Sequence, residues 1–279
     1  MRCLLPQTSC KLKSGSKEIP IMNFCRLAQL ILIAAVLSGC VTTEYNAGSH
    51  SQDLMLYSTS REIALGRNLA ARIAEEEELP LSKNPYYLSR VEEIRKKIVD
   101  VVDRTALNYY VYVIEQDEMN AFSIPGGHVY IYEGLLNELT DDELAFVIAH
   151  EIGHIVSRHA IKRMQAATGY HILLAAATQA PADPEFVRGL NFALGQIFVA
   201  YSREDEYNAD ELAVKYAEKA GFDPQAGIRA LEKLKAAGKR KIRPISYFRT
   251  HPYAQQRIRH IKEQLRLPLD VQDYMHQLR

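Results

Sequence analysis

His150-Glu151-Ile152-Gly153-His154 lies inside a stretch whose apolar pattern marks a helix, and this pairing restricts the chain more than any other feature. Residues four apart on a helix differ in direction by only about 40°, so His150 and His154 project from one face. Two imidazoles one turn apart can close on a single metal ion at roughly 2.0–2.1 Å per nitrogen. Glu151 falls about 100° round from His150, where it can polarise a water without ligating the metal. Thr140-Asp141-Asp142-Glu143 reads as a capping box that starts the helix. Leu144, Val147, Ile148, Ile152, Ile155 and Val156 supply the apolar stripe. Two histidines and a glutamate embedded there are costly to bury without a partner, and a metal ion is that partner.

A catalytic zinc normally takes three protein ligands. A third histidine on the same segment would need glycine at 157 and histidine at 160, but the chain has Ser157 and Ala160. His159 lies about 140° round the helix from His154 and reads as a structural, hydrogen-bonding histidine. The better source is a second helix beginning Ser202-Arg203-Glu204-Asp205-Glu206-Tyr207-Asn208-Ala209-Asp210. Glu206 and Asp210 are four apart and share a face, so one can bind metal while the other accepts the free N–H of a ligating histidine. Spacing alone does not choose between them. Glu204, Asp205 and Glu211 fit an ordinary solvated surface.

Residues 58–78 and 86–103 read as amphipathic helices and Tyr109–Ile114 as a strand. Residues 120–128 read as a turn-rich loop, broken by Pro125 and the pair Gly126-Gly127, and 129–132 as a second strand. That strand precedes the metal helix, and an exposed edge there would pair with an extended peptide. Asn120, Ala121, Gly126, Gly127 and Val129 are the candidate substrate-binding residues. The metal helix is expected over 137–168. Residues 171–180 and 186–201 are read as buried or lid-forming helices, too short for a membrane span. Further helices are expected over 203–220, 225–237 and 254–266.

The N-terminus reads as a targeting segment. Residues 27–37 form an apolar core of signal-peptide length, preceded by Arg26 and followed by Leu37-Ser38-Gly39-Cys40, which resembles a bacterial lipobox. A conventional signal would start at Met22, so residues 1–21 point to a mis-assigned start codon or a long n-region. Residues 1–39 are then the signal peptide, and 40–53 a polar tether carrying lipid on Cys40. Cys3, Cys10 and Cys25 leave with the signal, which excludes a disulfide or a cysteine-ligated metal in the mature chain. Val41, rather than aspartate, follows Cys40 and suggests an outer-membrane destination facing the periplasm in a Gram-negative host. Zero formal net charge without a basic stripe argues against a nucleic-acid partner.

Four motifs in order (Asn120-Ala121-Phe122 with Pro125-Gly126-Gly127, His150–His154, Ser202–Asp210, and Thr250-His251-Pro252 with Arg257-Ile258) carry a family likeness. Over roughly residues 60–265 the chain resembles the gluzincin zinc peptidases of the HtpX, Oma and Ste-type prenyl-protease family, most of all their bacterial periplasmic lipoprotein members. The resemblance implies an α+β, mainly helical, zincin-like fold over 54–267, with a small sheet whose edge strand precedes the metal helix, and a C-terminal tail at 268–279. It implies one Zn²⁺ held by His150, His154 and Glu206, with Asp210 behind a ligand. It also implies that His251 acts as a transition-state donor or removable fourth ligand, with Arg257 nearby. The implied function is zinc-dependent endopeptidase action on misfolded or unassembled envelope proteins. Its partners would be protein or peptide substrates, the membrane through the N-terminal lipid, and outer-membrane assembly machinery. The motifs are read without trailing helical repeats, unlike some members, and without the transmembrane helices of the prenyl proteases, which counts against prenylated substrates. The rival class is a non-proteolytic envelope assembly factor with structural zinc, against which Glu151 argues, since a structural site needs no base.

Overall fold

The computed structural model describes residues 42–46, 48, 51–75, 79–178, 200–240 and 246–274. Strands β1 (Thr42–Asn46) and β2 (Ser51–Met55) pair as an antiparallel hairpin. Much of the stretch read as a tether is therefore folded. The inner face of the hairpin is buried at Asn46 and Met55, and Asp53 pairs with Lys162 at 2.8 Å. Helix α1 (Thr59–Glu75) follows, then α2 (Pro85–Val99). The start of α2 is set by Asn84, whose side chain accepts from Tyr86 N–H at 3.0 Å, and by proline at the first helical position.

Strands β3 (Tyr110–Ile114), β4 (Ala121–Ile124) and β5 (His128–Tyr132) form one sheet in the order β3-β5-β4. β5 runs parallel to β3 and antiparallel to β4, with Val129 opposite Val111 and Ser123. This corrects the expected edge at 129–132: β5 is the central strand, and the edge next to the metal helix is β4, inside the stretch read as a loop. The cause is burial on both faces. Val129 and Ile131 join the aliphatic core of α2 and the metal helix. Tyr130 stacks between Phe122 and Tyr112, at 4.9 and 5.0 Å, on the opposite face. There Ile73 of α1 and Ile161 and Met164 from beyond the metal helix close the layer.

The expected helix 137–168 is three helices: α3 (Glu133–Glu138), α4 (Asp141–Val156) and α5 (His159–Thr178). Thr140 forms both bonds of its capping box and starts α4 afresh. Arg158, at φ 58°, breaks the path before α5. α5 takes in the apolar residues 171–178, and 179–199, which hold most of the second apolar stretch, lie outside the described residues. The rest is α6 (Arg203–Lys219), α7 (Ala226–Arg240), α8 (Tyr247–Thr250), α9 (Ala254–Gln264) and α10 (Val271–Tyr274). Among the described residues no helix is long and apolar enough to cross a membrane.

One buried ion cluster ties α1 to the end of α4. Arg104 donates to Glu62 at 2.7 and 3.0 Å and to the Ile155 carbonyl at 3.0 Å, while Arg158 Nε lies 3.5 Å from Glu62. All three side chains are buried. Glu62→Ala would remove the carboxylate that the buried Arg104 grips at two points, so urea unfolding should show a loss of about 3–5 kcal/mol. A loss below ~1 kcal/mol would mean that the cluster contributes little.

Candidate metal centre

α4 and α6 approach closely because Gly153 faces Ala209. A Cβ on Gly153 would come to 3.0 Å from the Ala209 carbonyl oxygen. Glycine inside a helix costs about 1 kcal/mol against alanine. Here it lets α6 bring Glu206 onto the face that carries His150 and His154.

The hydrogen-bond network assigns the histidine tautomers. Asp210 Oδ1 lies 2.9 Å from His150 Nδ1, so that nitrogen carries the proton and Nε2 is bare. His159 Nε2 faces Asp205 at 3.5 Å, which leaves its Nδ1 to accept from His154 Nδ1–H at 2.8 Å. His154 Nε2 is then bare as well. These two lone pairs sit 3.1 Å apart in a fully buried place, an arrangement that repels itself unless a cation lies between them. Glu206 Oε1 is 3.4 Å from His154 Nε2, and Oε2 is 3.6 Å from His150 Nε2. His251 Nδ1 stands 3.3 Å from His150 Nε2 and 3.2 Å from Glu206 Oε1. Donors around a tetrahedral ion with bonds of 2.0–2.1 Å are spaced by about 3.3 Å. The set His150, His154, Glu206 and His251 therefore fits zinc, each offering an atom within 4.8 Å of the others.

The remaining groups hold this set in place. Arg257, wholly buried, grips Asp210 with two bonds of 2.7 and 2.8 Å and brings Nη1 to 2.7 Å from Glu206 Oε2. Burial alone would raise the Glu206 carboxyl, but Arg257 and then His251 outweigh it and hold the pKa well below the ordinary range. Asp210 is lowered in the same way by Arg257 and His150, against its burial. Burial pushes His154 well below the usual histidine value. Burial would also lower His251, but Glu151 and Glu206 raise it. Glu151 accepts from Ser123 Oγ at 2.9 Å through Oε2, while Oε1 has no hydrogen bond and faces His251 Nε2 at 3.3 Å. Tyr201 stacks on His154 at 3.7 Å and Tyr247 on His251 at 4.7 Å.

The structure brings His150, Glu151, His154, Glu206, Asp210, His251 and Arg257 together in one buried cluster. It does not do so for every proposed substrate residue. Val129 is buried in the central strand with both backbone edges paired. Gly126 and Gly127, at φ 83° and 99°, pack tightly on α1 and on the Asn108 carbonyl, and a Cβ on Gly127 would overlap that carbonyl. They shape the β4–β5 turn. Asn120 and Ala121 do lie at the β4 edge, although the Asn120 carbonyl is taken by Tyr132 N–H. Ser123, Tyr201 and Tyr247 were missed. Ser123 shares a strand face with Ala121, and Tyr201 directly precedes the Ser202 cap, so both carried a faint signal. A small cavity beside His154 is lined by Ser123, Ile124, Pro125 and Tyr201.

Fold and site together are those of a zinc metalloendopeptidase. The chain belongs to Peptidase family M48, whose signature matches residues 87–265. It is 34% identical over 182 residues to the mitochondrial metalloendopeptidase OMA1 of Schizosaccharomyces pombe, covering 64% of this chain and 52% of that one. It is 28% identical over 239 residues to metalloprotease LoiP of Escherichia coli, covering 84% and 93%. With the beta-barrel assembly-enhancing protease of Escherichia coli it shares 26% over 243 residues, or 81% and 50%. The chain thus spans about half the length of OMA1 and of the assembly-enhancing protease, and nearly all of LoiP.

Zinc titration should separate the carboxylates. Glu206→Ala should lose the metal, and Asp210→Ala should weaken its affinity by ~10–100-fold. Glu204→Ala and Glu211→Ala should bind as the wild type does. A Glu206→Ala chain that still bound zinc tightly would assign the third ligand elsewhere.

Proposed function

We propose that this chain is a zinc-dependent endopeptidase that hydrolyses misfolded or unassembled cell-envelope proteins, lipidated on Cys40 and held at the outer membrane facing the periplasm. The observation that supports the chemistry most directly is the pair of bare histidine nitrogens 3.1 Å apart, with the uncommitted Oε1 of Glu151 beside them. The envelope setting is supported by the lipobox and by the likeness to LoiP and to a protease named for β-barrel assembly.

His150, His154 and Glu206 would hold the zinc. When bound, zinc supplies Lewis-acid polarisation of the scissile carbonyl and of the attacking water. Glu151 accepts the proton of that water at Oε1 and returns it to the leaving amine. Ser123 holds Oε2, which keeps Oε1 turned towards the reaction. The free edge of β4 is the surface along which an extended substrate would add as a strand. His251 presents Nδ1 to the ligand set and Nε2 to Glu151, which favours the reading of a removable fourth ligand.

Glu151→Gln should keep zinc at wild-type stoichiometry while casein hydrolysis falls by at least ~10²-fold, the scale of a lost general base. Activity retained in the zinc-loaded variant would sink the mechanism. His251→Ala should also keep zinc and should raise basal cleavage by opening the fourth position. A fall in kcat with unchanged zinc affinity would instead make it a transition-state donor.

A further inference from the structure

The β1–β2 hairpin has two unlike faces. Its inner face is fastened to both metal-bearing helices. Asn46, buried, donates to the Ser157 carbonyl at the end of α4 (3.1 Å) and accepts Gly48 N–H (2.9 Å). Asn208, which lies between Glu206 and Asp210 in the sequence of α6, donates to the Gly48 carbonyl at 3.1 Å, and Ser157 Oγ donates to its side-chain oxygen. A side chain at Gly48 would overlap Ser157. Buried Met55 and the Asp53–Lys162 pair complete the attachment.

The outer face carries Thr43, Tyr45, Gln52 and Leu54, set side by side by the register Thr43↔Leu54 and Tyr45↔Gln52. All four are exposed, Tyr45 by 56% and Leu54 by 70%, and none is charged. A tyrosine beside a leucine on an uncharged surface suits the boundary between lipid headgroups and acyl chains, where an aromatic ring keeps its hydroxyl wet. Only Val41 separates Cys40 from β1. Two chain steps reach at most about 7.6 Å. A lipid on Cys40 would leave the hairpin almost no slack, and at that effective concentration even weak apolar contact persists.

We propose that the outer face of the β1–β2 hairpin is a bilayer-contacting surface that seats the peptidase on the membrane in one orientation. The inference rests on the lipidation of Cys40 proposed above. The hydrogen bonds of Asn46, Gly48, Ser157 and Asn208 pass that orientation to α4 and α6, so the zinc site stands at a fixed height above the lipid instead of swinging on a tether.

Once residues 1–39 are removed, Cys40 is the sole remaining cysteine and is capped by lipid. Leu54→Cys therefore offers one labelling site, at a position exposed enough to leave folding unaffected. Mass spectrometry and co-sedimentation first establish that the full lipidated chain is acylated and bound to phosphatidylcholine vesicles. A bimane label at position 54 should then lose about half of its emission or more to spin-labelled lipids, and so should a label at Thr43→Cys. Labels at the exposed positions Tyr86→Cys and Val271→Cys report other surfaces. No quenching at 43 and 54 in the vesicle-bound chain would overturn the docking surface and point to a protein partner. Equal quenching at all four sites would overturn the fixed orientation. Absence of acylation would overturn the anchor itself, a result the mass spectrum distinguishes from the others.

Discussion

Two buried carboxylates, Glu206 and Asp210, converge on one buried arginine, Arg257, and a third, Glu151, stands across His251 from Glu206. Removing each from water costs several kcal/mol unless an opposite charge meets it. Arg257 neutralises Asp210 through a two-point grip and leans on Glu206, but one guanidinium does not balance three acids. The remaining demand falls on the divalent cation that the bare histidine nitrogens invite, with His251 turning Nε2 to Glu151 and Nδ1 to Glu206. α4, α6, α8 and α9, packed through one apolar core, meet around this cluster. Each brings one part of the charge set: the two histidines and Glu151, the two acids, the His251 that ends α8, and Arg257.

The sequence read this centre well where the signal was local. Spacing four on a helix placed His150 and His154 together, and the capping boxes at Thr140 and Ser202 marked where their helices begin. Glu206 and Asp210 could not be told apart by spacing, because both lie on one helix face. In the folded chain they differ by the nitrogen each meets. Asp210 reaches the Nδ1 side of His150, whereas Glu206 reaches the Nε2 side of both histidines. That distinction comes from the crossing of α6 over Gly153, a tertiary fact with no linear trace.

The misread elements failed for physical reasons of the same kind. β4 is four residues long, too short for alternation to stand out, and it lies next to a proline and two glycines. β5 looked like an edge because it stands nearest the metal helix in sequence, yet its aromatic residues fill a second buried layer against α1 and α5. The hairpin at 42–55 reads as small and polar because only one of its faces is covered. Its order comes from bonds to Ser157, Lys162 and Asn208, more than a hundred residues away.

In the proposed mechanism one element joins substrate pairing to proton transfer. Ser123 sits on β4, the outer strand proposed to take an extended peptide, and the same side chain holds Oε2 of Glu151. A strand added to β4 would pin the backbone on either side of Ser123 and stiffen that hydrogen bond. The base would then be best oriented when a peptide is in place. β4 in turn is braced by β5, whose buried faces leave it little freedom to slide. Burial of the central strand, which defeated the expectation of an edge at 129–132, therefore keeps the edge beside it fixed relative to the base.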